Sequence, residues 1–375
     1  MPDSAVRFTD WLHGRTIPYW LRHGVDRNDG GFHEKLGPDR QPVSETGKRV
    51  MVQARQLYVA TDHTLLTGSE DAHDAAAGAL RFLRDHCRHP DGGWRFRVAR
   101  DGSPQDDTRD LYAHAFVLFA LAWHHRLDPN GGAAQDAAAT LTFLDEHMTH
   151  PGGGYHEALD AAGRPANGMR RQNPHMHLFE AFLEWITISD DPVWCARADA
   201  MAALFEERFC IDGTLREFFT ADLRPLDGDE GRLVEPGHHY EWSWLLRRYE
   251  VLTGDSRLAA TGVQLYRFAE RYGIDPATGG IVDSVDCAGA VVQDNRRLWP
   301  QTEAIKAHAA RRAEARLTAQ IDALLTGHLD GMPDGAWREH LDGEGALLVA
   351  DLPASSLYHL AMASAELRRS GAEPA

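Results

Sequence analysis

Cysteine is scarce in this chain: there are four, at 87, 195, 210 and 287, and no two form a CxxC pair. That spacing offers neither a zinc ribbon nor a thioredoxin-like redox motif, and it fits reduced thiols. No apolar run is long enough to cross a bilayer. The longest, AHAFVLFALAW (113–123), is about half of what a spanning helix needs. The opening stretch MPDSAVRFTDWLHGRT has no signal-peptide h-region, so the expectation is a cytoplasmic protein with no membrane partner. Excess positive charge is also missing. With a net charge of −17, binding to nucleic acid or an anionic surface is disfavoured, because both are polyanions. What remains is ordinary for a globular protein, 43% hydrophobic and 25% charged, except for 21 histidines.

The glycines carry the first positive signal. DGGFHEKL (29–36), DGGWRFRVARDG (91–102), GGGYHEALDAAG (152–163), DGTLREFF (212–219), GGIVDSVDCAG (279–289) and DGAWREHLDGEG (334–345) are versions of one motif. Each reads as a short β-hairpin. Gly31, Gly93, Gly153, Gly213, Gly280 and Gly335 are 62, 60, 60, 67 and 55 residues apart. A near-constant period over the whole length marks one repeat architecture, a single domain over 1–375. The intervening segments, such as AAAGALRFLRDHC and YEWSWLLRRYEVL, place apolar residues at i, i+3 and i+4, as amphipathic helices do. With segment 4–23 they make twelve helices. Six helix–hairpin–helix units predict an all-α (α/α)6 barrel with hairpins at the rim of a central cavity. No outer helix presents an apolar stripe that would mark an oligomer contact.

In such a barrel the six inner helices start at one end, where unpaired N–H groups and positive dipole ends converge. A structural helix start needs one capping residue. These carry much more: Arg49 and Gln53; Arg109, Tyr112 and His114; Arg171, Asn173, His175 and His177, with Glu180 following; His238, His239 and Glu241; Arg297, Trp299, Gln301, Glu303 and Lys306; Ser355, Ser356, Tyr358 and His359. His238 and Glu241, three apart, share a helix face. A histidine in a first helical turn should be held neutral by the dipole, and a neutral imidazole is a usable general base. His359 would face His238 across a closed ring. Asn173 and His177, four apart, can face the cavity together, whereas His175 and His177 cannot. Trp299 can stack on the apolar face of a sugar, and Arg49 can hold an oxyanion. Lys306 reads as a salt-bridge partner. No HExxH or comparable local signature appears, so no metal or other cofactor is expected.

GKRVMVQARQLY (47–58), RQNPHMHLFEAFLEW (171–185), PGHHYEWSWLL (236–246), LWPQTEAIKA (298–307) and ASSLYHL (354–360) together resemble the N-acylglucosamine 2-epimerase superfamily. The resemblance spans nearly the full chain, in family order. It implies the (α/α)6 barrel, acid–base histidines at His238 and His359, and substrate contacts at Arg49, Asn173, His177, Glu241, Trp299 and Glu303, without a metal. His114 and Gln301 join the substrate-binding set from their places at the helix starts. Glu241-Trp242 and the stretch WPQTE (299–303) are similar to the mannose isomerases. Cellobiose epimerases carry a tryptophan just before the last histidine, where this chain has Ser355, Ser356 and Leu357. The function expected is aldose–ketose isomerisation of a small monosaccharide, D-mannose or D-lyxose, through a cis-enediolate. A 2-epimerase, an (α/α)6 glycoside hydrolase using Glu241 and Glu303, and a sugar-binding protein without catalysis are the rivals.

Overall fold

The computed structural model describes residues 3–43, 47–166 and 168–372, and these are mostly helical. In chain order the helices are α1 (Asp3–Trp11), α2 (Ile17–His23), α3 (Val50–Thr67), α4 (Glu70–Phe82), α5 (Leu111–Leu127), α6 (Ala133–Phe143) and α7 (Gln172–Ile186). There follow α8 (Pro192–Leu204), α9 (Gly228–Arg232), α10 (Pro236–Thr253), α11 (Ala259–Tyr272), α12 (Leu298–Ala310), α13 (Glu314–Leu324) and α14 (Ser356–Ala372). The segment 4–23 is thus two helices, joined by a π turn at Leu12–Thr16, and the five-residue α9 has no counterpart in the sequence reading. Similar π turns follow α4, α6, α8 and α13, each opening on a buried Leu or Phe. None of the helices described is long and apolar enough to cross a membrane.

The helices fall into two kinds. Those that follow a hairpin are buried nearly all round: α5 buries every residue from Leu111 to His124 except Tyr112. Burial on all sides marks the interior of a large assembly of helices, so an amphipathic reading of these segments is too narrow. The others bury one stripe, as α4 does with Ala72, Ala75, Ala76, Ala79 and Leu80. Packing among the buried helices runs α3–α5–α7–α10–α12–α14 and returns from α14 to α3.

The short strands follow the same succession. Each two-residue strand leading into a buried helix pairs antiparallel with the hairpin of the next repeat. Lys48–Arg49 pairs with Arg97–Val98, Arg109–Asp110 with Ala158–Leu159, and Arg170–Arg171 with Phe218–Phe219. Leu233–Val234 pairs with Val285–Asp286, Arg296–Arg297 with His340–Leu341, and finally Leu352–Pro353 with Lys35–Leu36 of the first hairpin.

Two buried devices lock helix starts to hairpins. In the first, the fourth residue of a buried helix bonds hairpin backbone. Gln53 exchanges both amide bonds with Phe32, and Gln301 does so with Ile281. His114, His175 and His239 accept the N–H of Trp94, Tyr155 and Leu215 at 3.0, 3.1 and 3.2 Å. In the second, a cation at the start of the lead-in strand bridges adjacent repeats. Lys48 donates to Gly30 O and Arg100 O, Arg170 to Tyr155 O and Ala221 O, and Arg296 to Asp275 and Asp342 O. Buried carbonyls are thereby satisfied.

At the other end of the helices, Glu184 of α7 is fully buried among arginines. It pairs with Arg126 of α5 at 2.5 Å and with Arg248 of α10, and Arg369 of α14 lies 3.9 Å away.

Candidate active site

A cavity of about 270 Å³ opens where the buried helices begin. Its wall includes Arg55, Tyr112, Arg171, Asn173, His177 and Glu217. Glu235, His238, Glu241, Arg297, Trp299 and His359 complete it, with Phe218. The volume lies below the roughly 300–1,000 Å³ of drug-sized ligand pockets and suits a single sugar ring.

His238, the third residue of α10, points Nδ1 at Glu217 Oε2, 2.9 Å away, with Glu235 Oε2 at 3.6 Å. Burial disfavours its cation, but Glu217 and Glu235 outweigh burial and lift the pKa to about 9. The helix-dipole argument predicts a neutral imidazole here. It is overturned because two carboxylates at contact distance act more strongly than a partial charge. Glu217 is in turn held by Gln172, whose Nε2 donates at 2.9 Å. The Trp242 indole donates to Gln172 Oε1 at 2.6 Å, which fixes the amide's orientation.

His359 has the same geometry and the opposite electrostatics. Its Nδ1 is 2.8 Å from Glu303 Oε1. Burial, reinforced by Arg55 and Lys306, holds its pKa well below the ordinary histidine value. The other oxygen of Glu303 is pressed against the Lys306 ammonium, which sits 3.7 Å from Glu241 and 4.0 Å from the Trp244 ring centroid. Trp299 stands between the two histidines, its ring centroid 4.8 Å from that of His238 and 5.8 Å from that of His359. Gly237 allows this, since a Cβ there would lie 2.6 Å from the indole.

Asn173 and His177 both line the cavity, as their spacing predicts. Asn173 Oδ1 is buried with no protein partner, a free acceptor for a hydroxyl. His177 Nδ1 lies 3.0 Å from Glu180 and 4.0 Å from Glu241. His177, Glu180 and Glu241 are, among the described residues, the one group of donors spaced as a metal ion requires. Lys306 supplies positive charge beside them, and the group reads as a salt-bridged network.

Four expected contacts are placed elsewhere, Glu303 among them: it is fully buried behind His359 and is not part of the cavity wall. His114 donates from Nδ1 to Asp110 O at 2.7 Å and accepts Trp94 N–H at Nε2, so both ring nitrogens are used. Burial drops its pKa to about 4. Gln301 is spent on Ile281 in the same way. Arg49 is tied to Glu34 through its backbone N–H and its side chain, away from the cavity wall. The arginine of α3 that does reach the cavity is Arg55, in the second turn. It donates to Tyr112 OH at 2.8 Å and stacks over Phe116 at 4.1 Å. No carboxylate pairs with it among the described residues, which leaves a buried cation free to meet an oxyanion. Tyr112, Arg171, Glu217, Glu235 and Arg297 are likewise cavity residues that the sequence reading does not select as substrate contacts.

Paired histidines, each oriented by a carboxylate across a small polar cavity, define a site for proton transfer on a small polar substrate. A family model described as N-acylglucosamine 2-epimerase (GlcNAc 2-epimerase) matches residues 30–363, and the chain belongs to that family. It is 33% identical to a protein of Rhizobium meliloti (strain 1021) named mannose-6-phosphate isomerase, over 97% of this chain and 96% of that one. It is 29% identical to a D-mannose isomerase of Thermobifida fusca, over 85% and 83% of the two chains. The structure of a cellobiose 2-epimerase from Bacillus thermoamylovorans B4167 superposes with a TM-score of 0.89 at 20% identity, covering 98% of this chain and 100% of that one; this likeness speaks to the fold. The chain is an enzyme of the isomerase class.

Proposed function

We propose that this enzyme is a metal-independent aldose–ketose isomerase of D-mannose and D-fructose, and of D-lyxose and D-xylulose, working as one (α/α)6-barrel domain. The barrel reading rests on the succession of helix and strand pairings that returns to its start. The functional reading rests on His238 and His359, each backed by a carboxylate, on either side of Trp299.

In this reading the open-chain sugar stacks on Trp299. One histidine takes the C2 proton, and the electron pair of that C–H bond becomes the C1=C2 bond. The carbonyl oxygen takes up negative charge, met by Arg55 and by a proton from the other histidine. Return of the proton to C1 re-forms a C–H bond, and the O2 hydroxyl loses its proton to become the ketone. Return to the opposite face of C2 would instead give the 2-epimer. The second reading, a 2-epimerase, is favoured by one observation: two histidines, each backed by a carboxylate, reach the same cavity. Of the cavity arginines, Arg171 is already paired with Glu157, and Arg297 with Glu235 and Asp283. That leaves little unspent positive charge and favours the free sugar over its 6-phosphate.

The test is incubation of EDTA-treated protein with D-mannose, and separately with D-mannose 6-phosphate, in D2O under NMR. Fructose with deuterium at C1 is expected. Glucose as the first product would establish the 2-epimerase, and turnover of the phosphate alone would overturn the free-sugar reading.

A further inference from the structure

The two histidines have the same immediate partner and different groups behind it. Behind Glu217 stands a neutral amide, Gln172, oriented by Trp242 so that its NH2 faces the carboxylate. Behind Glu303 stands an ammonium, Lys306, fully buried. We propose that Lys306 holds the Glu303–His359 pair one proton short of the Glu217–His238 pair, making His359 the resting base and His238 the resting acid. This rests on the acid–base reading of the site given above.

A buried carboxylate needs a compensating positive charge. Glu217 finds none in Gln172, and the nearby Glu235 adds negative charge at 3.6 Å from the His238 ring. Arg297 is engaged with Glu235 and Asp283. The positive charge beside Glu217 therefore comes from His238 itself, which keeps both ring protons and presents Nε2–H as the donor. Glu303 is compensated from its other side by Lys306. His359 then needs only the Nδ1 hydrogen that it donates to Glu303, and Nε2 keeps its lone pair.

The surroundings of Lys306 fit this role. Glu241 reaches it from α10 and Glu180 acts on it from α7, so it serves more than one carboxylate. The positive groups facing His359 from the other helices include Arg55 from α3 and His238 from α10, and both oppose a further charge on its ring. Burial and Glu241 push the Glu303 acid well above the ordinary carboxylate value, and the Lys306 ammonium against its second oxygen is the group that opposes them. Without Lys306 the pair takes up a proton. The proton then rests on Glu303, which donates to Nδ1, or on the imidazole. In either form His359 Nε2 carries hydrogen and cannot accept a proton from carbon. Lys306 is thus a positioning residue: it touches no substrate and sets what His359 can do.

The test reads the imidazoles directly and needs no substrate. Full-length protein with 15N- and 13C-labelled histidine is titrated by NMR, with His238→Gln and His359→Gln used to assign the signals. At pH 7.5 we expect His359 neutral with a bare Nε2 and His238 doubly protonated, its charge lost near pH 9. A protonated Nε2 on His359, or a neutral His238, overturns the proposal. In Lys306→Met the His359 Nε2 gains hydrogen at pH 7.5, and the acidic limb of kcat/KM moves up by at least about one pH unit. A folded Lys306→Met protein with an unchanged His359 tautomer also overturns it. Should that variant not fold, the wild-type titration decides alone. The expected titration together with no turnover of mannose refutes the substrate reading only. Turnover together with Nε2–H on His359 refutes this assignment only.

Discussion

Glu217 places a carboxylate oxygen 2.9 Å from Nδ1 of His238, and that contact opposes both burial and the helix dipole. A glutamine in its place keeps the shape and removes the charge. With Glu217→Gln, burial regains control of His238 and its pKa falls from about 9 by about two pH units. The alkaline limb of kcat/KM follows it down, and kcat/KM at pH 8 drops roughly 10-fold. Stability should follow the same sign. The His238 pKa is raised on folding, so its contribution is fully present below the unfolded value of about 6.5 and disappears as pH rises through about 9. Urea denaturation from about pH 6 to 10 should show that loss in the wild type and not in Glu217→Gln.

Arg55 is paired with no carboxylate among the described residues, and an enediolate would supply that partner. Arg55→Met should lower kcat by about 10²–10³ with little change in KM. Steady-state kinetics on D-mannose measure both. A change confined to KM would assign Arg55 to binding the ground state.

Gly237 is the point where α10 meets the Trp299 indole. Gly237→Ala places a methyl 2.6 Å from two indole carbons and 3.0 Å from Pro300 Cβ, so the indole must move. Displacement of the platform between the two histidines should cost roughly 10–100-fold in kcat/KM. His238→Gln abolishes turnover through the chemistry, and Gly237→Ala should instead raise KM as well as lower kcat.

Glu184 holds α5, α7 and α10 together at the end remote from the cavity. Glu184→Gln leaves Arg126 and Arg248 without their buried counter-charge and should destabilise the protein by about 3–5 kcal/mol. The arginines, Arg248 first, hold the Glu184 pKa well below the ordinary carboxylate range against the effect of burial. Its contribution is therefore present above the unfolded value and is lost as pH falls below about 4. Denaturation curves of the two proteins should lie furthest apart at neutral pH and converge in acid.

The period of the glycines makes the repeats legible, and residues that recur at helix starts make His238, His359, Trp299, Asn173, His177 and Glu241 legible as cavity residues. The same recurrence misleads at His114 and Gln301. A helix-start residue that repeats in kind, as Gln53, His114, His175, His239 and Gln301 do, is performing the repeat's structural task. Those that break the pattern, His238 and His359 among them, line the cavity. The hairpins show this most clearly. Glu34, Glu157, Asp283 and Glu217 hold equivalent places, each accepting the backbone N–H of a lead-in residue: Arg49, Arg171, Arg297 and, in the fourth repeat, Glu235. In three repeats the carboxylate also takes that residue's guanidinium. In the fourth the arginine is replaced by Glu235, and the free carboxylate turns to His238. Aligning the hairpins with one another, rather than the helices alone, exposes Glu217 and Glu235. The influence of Gln172 on His238, and of Lys306 beyond its salt bridge, is hidden for another reason. Both residues act through a carboxylate on a third residue, and such a relation exists only once helices distant in sequence have packed.

The pairing of Leu352–Pro353 with Lys35–Leu36 sets a schedule for the growing chain. The first hairpin leaves the ribosome roughly three hundred residues before its partner strand. At about 5–20 residues per second, its edge waits roughly 15–60 s for that partner. Throughout synthesis the unfinished protein is an open series of helix pairs with one unpaired edge at the front and another, newly made, at the back. The last repeat therefore covers the open edge of the first as well as completing the cavity, and it can do so only once residue 353 has cleared the exit tunnel.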